Sequence, residues 1–130
     1  MALTISVAAS DAMGEALVTT IGSAATIQIR TGTKPATPET AASGTLLATV
    51  NISGSFSSAG GVLTSADPAS VTITTTGTAG HFRLLTSGAT AVLDGTVGTS
   101  GADMNLATVA LSSGASLDLG GPGGRGYRGP

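Results

Sequence analysis

Hydrophobic and polar positions alternate most cleanly in the first half of the chain. Ala25, Ile27 and Ile29 point one way and Thr26, Gln28 and Arg30 the other, which predicts a half-buried strand. Leu46, Ala48, Val50 and Ile52 alternate with Leu47, Thr49 and Asn51 in a second one. The longest strand-turn-strand pattern spans residues 77–106. Its first arm alternates His81 and Arg83 with Phe82 and Leu84, Thr86, Ser87 and Gly88 turn the chain, and residues 91–97 return, so a β-hairpin is predicted. The pattern places Phe82 and Leu84 in the core and His81 and Arg83 in solvent.

Other segments fill in around that hairpin. Residues 3–8 read as a short strand. At Ser10 the period changes: Ser10 is placed as an N-cap with Asp11 in the first turn, and Met13, Leu17 and Ile21 form an apolar stripe at helical spacing. Gly22 ends this predicted helix, which is expected to dock on the sheet. Residues 54–68 are less regular, with an apolar patch at Val62 and Leu63, while Val71 and Ile73 restart a strand. Residues 95–103 read as a flexible turn, followed by strands at 106–111 and 115–119. Short strands, regular turns and one short N-terminal helix predict a mainly β fold, an antiparallel β-sandwich or jelly-roll-like barrel over residues 1–119.

Two segments fall outside this pattern. Residues 31–44, TGTKPATPETAASG, combine two prolines with small polar residues and no apolar period, which predicts a long exposed loop. Loops of that length in compact domains serve as contact arms more often than as filler, which makes Lys34, Pro35, Pro38 and Glu39 candidate partner contacts. Residues 120–130, GGPGGRGYRGP, place glycine at 120, 123, 126 and 129. A period of three is the collagen signature, although the run is too short to hold a triple helix alone. Pro122, Arg125, Tyr127 and Arg128 are the candidate contacts of this tail.

Composition narrows the function classes. The chain is 130 residues long with 41% hydrophobic but only 9% charged residues, and it contains 20 glycines and no cysteine. Its surface is therefore neutral and rich in hydroxyls, with neither disulfides nor thiolate metal sites. Residues 1–119 carry Arg30, Lys34 and Arg83 against seven acidic side chains, so a basic groove for nucleic acid is not supported. Arg125 and Arg128 could touch single-stranded nucleic acid, but two arginines release too few counterions for firm binding. No window reaches a membrane-spanning length, and residues 1–10 lack the features of a signal peptide, so folding in a cytoplasm is expected.

Catalytic chemistry is not legible. His81 is the lone imidazole and no GxSxG elbow accompanies it, so a hydrolase triad has no frame. Asp94, Asp103 and Asp118 lack the spacing of a cation loop and read as solvated turn carboxylates. The GxGxxG match at residues 124–129 has no following helix. No catalytic residue, metal ligand or cofactor is assigned.

The block DAMGEALVTTIGSAATIQIRTG of residues 11–32, Pro35, and ASGTLLATV of residues 42–50 resemble a family of small virion proteins of tailed phages and prophages. GTAGHFRLLTSG and GTVGTSGADMN extend that resemblance through residue 105. It implies a virion structural protein, a capsid decoration or cement protein rather than an enzyme, made in the bacterial cytoplasm and seated on the capsid surface. Its implied partners are the major capsid protein and further copies of itself. The period of three in the tail favours trimers, and dimers at capsid two-folds fit the remaining features equally well. A tail-fibre component or host-surface binding module is the alternative.

Overall fold

A computed structural model of the chain describes residues 4–52, 54–59, 62–64, 70–119 and 126–128. The fold is mainly β, with a curled, mixed central sheet forming a half-barrel and one helix among the described residues.

The helix, α1, spans Val7–Ile21, one turn earlier than the Ser10 cap predicts. Ser6 caps it, its hydroxyl accepting from the Ala9 N–H at 3.1 Å. Val7, Ala8 and Ala9 therefore join the helix instead of the expected strand, because a satisfied cap and two alanines favour another turn. Asp11 accordingly lies inside the helix rather than in its first turn. The C-terminus closes as expected at Gly22, whose φ of 79° is costly for any residue with a Cβ.

The central sheet has the order β2-β1-β6-β7-β8. Strand β1 is Thr26–Thr31, β2 is Leu46–Asn51, β6 is Gly77–Leu85, β7 is Ala91–Gly98 and β8 is Met104–Asn105. The predicted hairpin is present as β6 and β7, with His81 opposite Thr96 and Arg83 opposite Asp94. Strand β7 runs on through Gly98, into the stretch expected to be a turn, and pairs with β8 in parallel. The sheet is therefore mixed rather than purely antiparallel.

Shorter strands curl around one face. Strands β3 (Ser57–Ala59) and β4 (Val62–Thr64) form a hairpin. Strand β5 (Val71–Thr72) pairs with β10 (Ser116–Asp118), and β9 (Ala110–Leu111) pairs with the start of β6. The residues after β5 stitch these pieces to the large sheet: the Thr74 N–H donates to Leu47 O at 2.9 Å and the Ile73 N–H to Ala115 O at 2.8 Å.

Inside the curl lies the apolar core. Ile27, Ile29, Ala48, Val50 and Leu84 line the sheet side, and Ile73, Leu111, Ala115 and Leu117 close it from the other. No Trp and only two Phe are available, so closeness of packing substitutes for bulk.

The helix packs chiefly on the β3-β4 hairpin, while Ile21 at its C-terminal end joins the core formed with the large sheet and Leu17 packs against that core. Gly14, which costs roughly 1 kcal/mol in an isolated helix, sits where any Cβ would collide with the Ser58 side chain. Of the predicted stripe, Ile21 is buried, Leu17 half-buried and Met13 66% exposed. Exposure along the stripe therefore rises from the C-terminal end of α1 toward its start.

Candidate functional site

The concave face holds the apolar core; the convex face carries two rows of polar side chains. Across β1, β6 and β7 the register aligns Gln28, Arg83 and Asp94 in one row and Arg30, His81 and Thr96 in the next. Alternation along β6 thus assigns the faces correctly, but the expectation that His81 and Arg83 face solvent is overturned. His81 is fully buried and Arg83 is buried as well.

What buries them is the loop between β1 and β2. Residues 32–44 form a strap folded back over the polar rows. At its base the Thr31 N–H donates to Thr45 O at 3.0 Å and the Thr45 N–H donates to the Thr31 hydroxyl at 2.8 Å. Further along, His81 Nδ1 lies 3.0 Å from Gly32 O, Arg83 Nη2 donates to Thr40 O at 2.8 Å, and Arg30 Nη1 reaches Gly44 O at 3.4 Å. A carbonyl can only accept, so His81 Nδ1 carries its proton toward Gly32. Gly80 permits this closeness, because a Cβ there would collide with the Gly32 carbonyl.

Beneath the strap, Arg83 and Asp94 form a two-pronged ion pair, Nε to Oδ1 at 2.7 Å and Nη2 to Oδ2 at 2.8 Å, with side chains only 6% and 3% exposed. Arg83 donates to both carboxylate oxygens, which holds Asp94 below the usual carboxylate range against the opposing effect of burial. The guanidinium is raised in turn by its bonds to Asp94, with a smaller contribution from the charge of Glu39.

The candidate loop contacts take unequal positions. Pro35 is buried and Lys34 and Pro38 are half-buried, which makes them part of the strap's seat, while Glu39 is exposed at its outer side. The segment is a surface loop as predicted, yet it is fastened along its length. Of the tail candidates, Pro122 and Arg125 lie outside the described residues. Tyr127 and Arg128 belong to β11 (Gly126–Arg128), whose backbone pairs antiparallel with β10, Leu117 opposite Tyr127. A collagen-like helix has no inter-strand ladder of this kind, so these three residues depart from the triple-helix expectation.

The carboxylates weighed as cation ligands are separated by structure. Asp94 is engaged by Arg83, and Asp118 lies on β10. Asp103 accepts from the Thr96 N–H at 3.0 Å and the Thr96 hydroxyl at 3.2 Å, bonds that lower its pKa and clasp the turn after β7. Among the described residues no group of three or more His, Cys, Asp or Glu could hold a metal ion, and no helix is long and apolar enough to cross a membrane.

One surface was missed by sequence reasoning. Ile5, just before α1, and Val7 and Met13 in its first half are 60–66% exposed. Exposed apolar side chains of this size are candidate contacts for a partner. Comparison with known proteins adds nothing to the site: no family model, curated protein or solved structure matches the chain.

Proposed function

We propose that this chain is a structural protein of a tailed-phage virion, a capsid decoration protein that binds the outer capsid surface and bridges major capsid subunits. The observation that carries this reading is the fate of the buried ionisable side chains. His81, Arg83 and Asp94 hold a strap in place, beyond the reach of a substrate. What faces outward is a neutral, hydroxyl-rich surface with an exposed apolar helix end and a fastened loop. Such a surface suits contact rather than reaction, and the resemblance of residues 11–105 to small virion proteins points the same way. The mechanism is mechanical: each bound copy lowers the free energy of the assembled shell and of no other state, so occupancy translates into resistance to internal pressure.

Sedimenting the purified chain with capsids that lack it tests the proposal. Saturable binding at many copies per particle, with capsids that then survive higher temperature, is the expected result. Density for the chain at a few tail positions, or binding to host cells and not to capsids, would overturn the capsid reading in favour of the fibre or host-surface alternative.

A further inference from the structure

Only one of the two ring nitrogens of His81 has a partner in the strap's seat. The residue is 0% exposed, Nδ1 donates to Gly32 O at 3.0 Å, and Nε2 is enclosed with no hydrogen-bond partner among the described residues. A second proton on the ring has to go to Nε2, and there it makes a charged N–H that is shut off from water and faces no acceptor.

The groups around the ring do not relieve this. Arg30 lies opposite it on β1, Arg83 stands two residues further along β6, and Lys34 sits on the strap two residues past Gly32. The residue opposite on β7 is Thr96, whose hydroxyl is bonded to Asp103, and Asp94 in the neighbouring row has both oxygens held by Arg83. Glu39 is exposed on the strap's outer side. A charged imidazole thus joins three cations, while Asp94 and Asp103 are already engaged. The cover over the ring is also the least costly part of the fold to move. Of residues 32–44 only Pro35 is buried, so lifting the strap gives up little apolar contact and leaves the core intact.

We propose that the strap is an acid-released latch: proton uptake at His81 Nε2 frees the Gly32 end of the strap and opens the Thr31–Thr45 clasp at its base, while the sheet beneath stays folded. An imidazole in water takes up its second proton near about pH 6.5, so the opened strap binds that proton better than the closed one. Closure is complete above that pH and is lost below it, the ratio of opened to closed rising by up to about tenfold per pH unit for one proton. The aspartates act in a separate window, below about pH 4. The inference concerns the strap alone and stands whatever the domain binds.

His81 is the only histidine in the chain, so its ring signal in an NMR titration needs no assignment. Alongside it, amide hydrogen exchange is followed from about pH 7.5 to about pH 5 and expressed as protection relative to the intrinsic rate at each pH. The Thr31 and Thr45 N–H groups report the clasp; those of Ile52, bonded to Ala25 O, and Ile73, bonded to Ala115 O, report the rest of the domain. Protection at Thr31 and Thr45 should fall by up to about tenfold per pH unit below about pH 6.5, in step with the ring titration, while Ile52 and Ile73 keep theirs. In His81→Phe, clasp protection should not change with pH over this range. Clasp protection that persists to about pH 5 in the native chain overturns the proposal, whether or not the ring takes up a proton. Parallel loss at Ile52 and Ile73 overturns it as well, since the domain then unfolds as a whole, as does the same pH dependence in His81→Phe. Should that variant not fold, the coincidence of ring titration and clasp opening in the native chain decides.

Discussion

Arg83 and Asp94 face each other across neighbouring strands on the convex side of the sheet, and the guanidinium that grips both carboxylate oxygens also holds the Thr40 carbonyl of the strap. One side chain thus joins two strands and the loop above them. Removing one partner leaves the other charge buried, so Arg83→Met should cost about 3–5 kcal/mol, read as a fall in the urea midpoint. Asp94→Asn should cost less, because an amide can still accept from Arg83. A double variant with matched apolar residues should recover much of the loss, and failure to recover would mean that the pair does more than neutralise itself.

Stability should also depend on pH through the same pair. Asp94 has a folded-state pKa lowered by Arg83, so the unfolded chain binds a proton first. Its contribution is complete above about pH 4, where an unfolded aspartate is ionised, and is lost as pH falls through the folded value below that. Asp103, lowered by Thr96, acts with the same sign. Denaturation midpoints measured from about pH 6 down to about pH 2 should fall steeply in the native chain and less steeply in Asp94→Asn.

Opening the strap should be separable from unfolding the domain. His81→Phe removes the bond to Gly32 O, at a cost of about 1–3 kcal/mol. Gly80→Ala drives a methyl group into that carbonyl. Both should accelerate cleavage after the exposed Glu39 by a Glu-specific protease, with the far-UV spectrum unchanged. Equal cleavage rates in wild type and both variants would show that these ties do not hold the strap.

The β6-β7 turn carries a residue that sequence pattern would not choose. Ala89 has a φ of 65°, the left-handed region in which a Cβ is penalised by about 1–2 kcal/mol. Ala89→Gly should therefore raise the thermal midpoint, by roughly 0.5–1 kcal/mol of stability after the flexibility of glycine in the unfolded chain is counted.

The exposed helix end should matter for binding and not for folding. Replacing Ile5, Val7 and Met13 together by serine removes apolar groups that are already in water, so thermal stability should change little. Capsid binding should weaken at least tenfold in the same variant. Unchanged binding would remove this surface from the contact.

Legibility in the sequence followed the reach of each interaction. Period-two alternation located β1, β2, β6 and β7 and even the correct face for Phe82 and Leu84, because a strand's two faces are a local property. What covers the second face is not local. Arg83 and Asp94 become partners only through the hairpin register, and the Gly32 and Thr40 carbonyls reach them only by the folding back of the strap. Gly80 within a strand was the available hint, since such glycines mark close backbone approach. The start of α1 turned on competition between two serines as caps, and the pairing of β11 depended on an edge that β10 alone could offer.

The sheet holds the strap by its main-chain oxygens, those of Gly32, Thr40 and Gly44. Every residue type supplies such an oxygen, so these bonds do not read the identity of the exposed side chains between them. Ala36, Thr37 and Glu39 point outward from this seat and can be exchanged for other surface residues without loosening it. The fold thereby separates anchoring from display: new side chains placed at positions 36, 37 and 39, with Pro38 kept, should be presented in a fixed orientation on an otherwise unaltered domain.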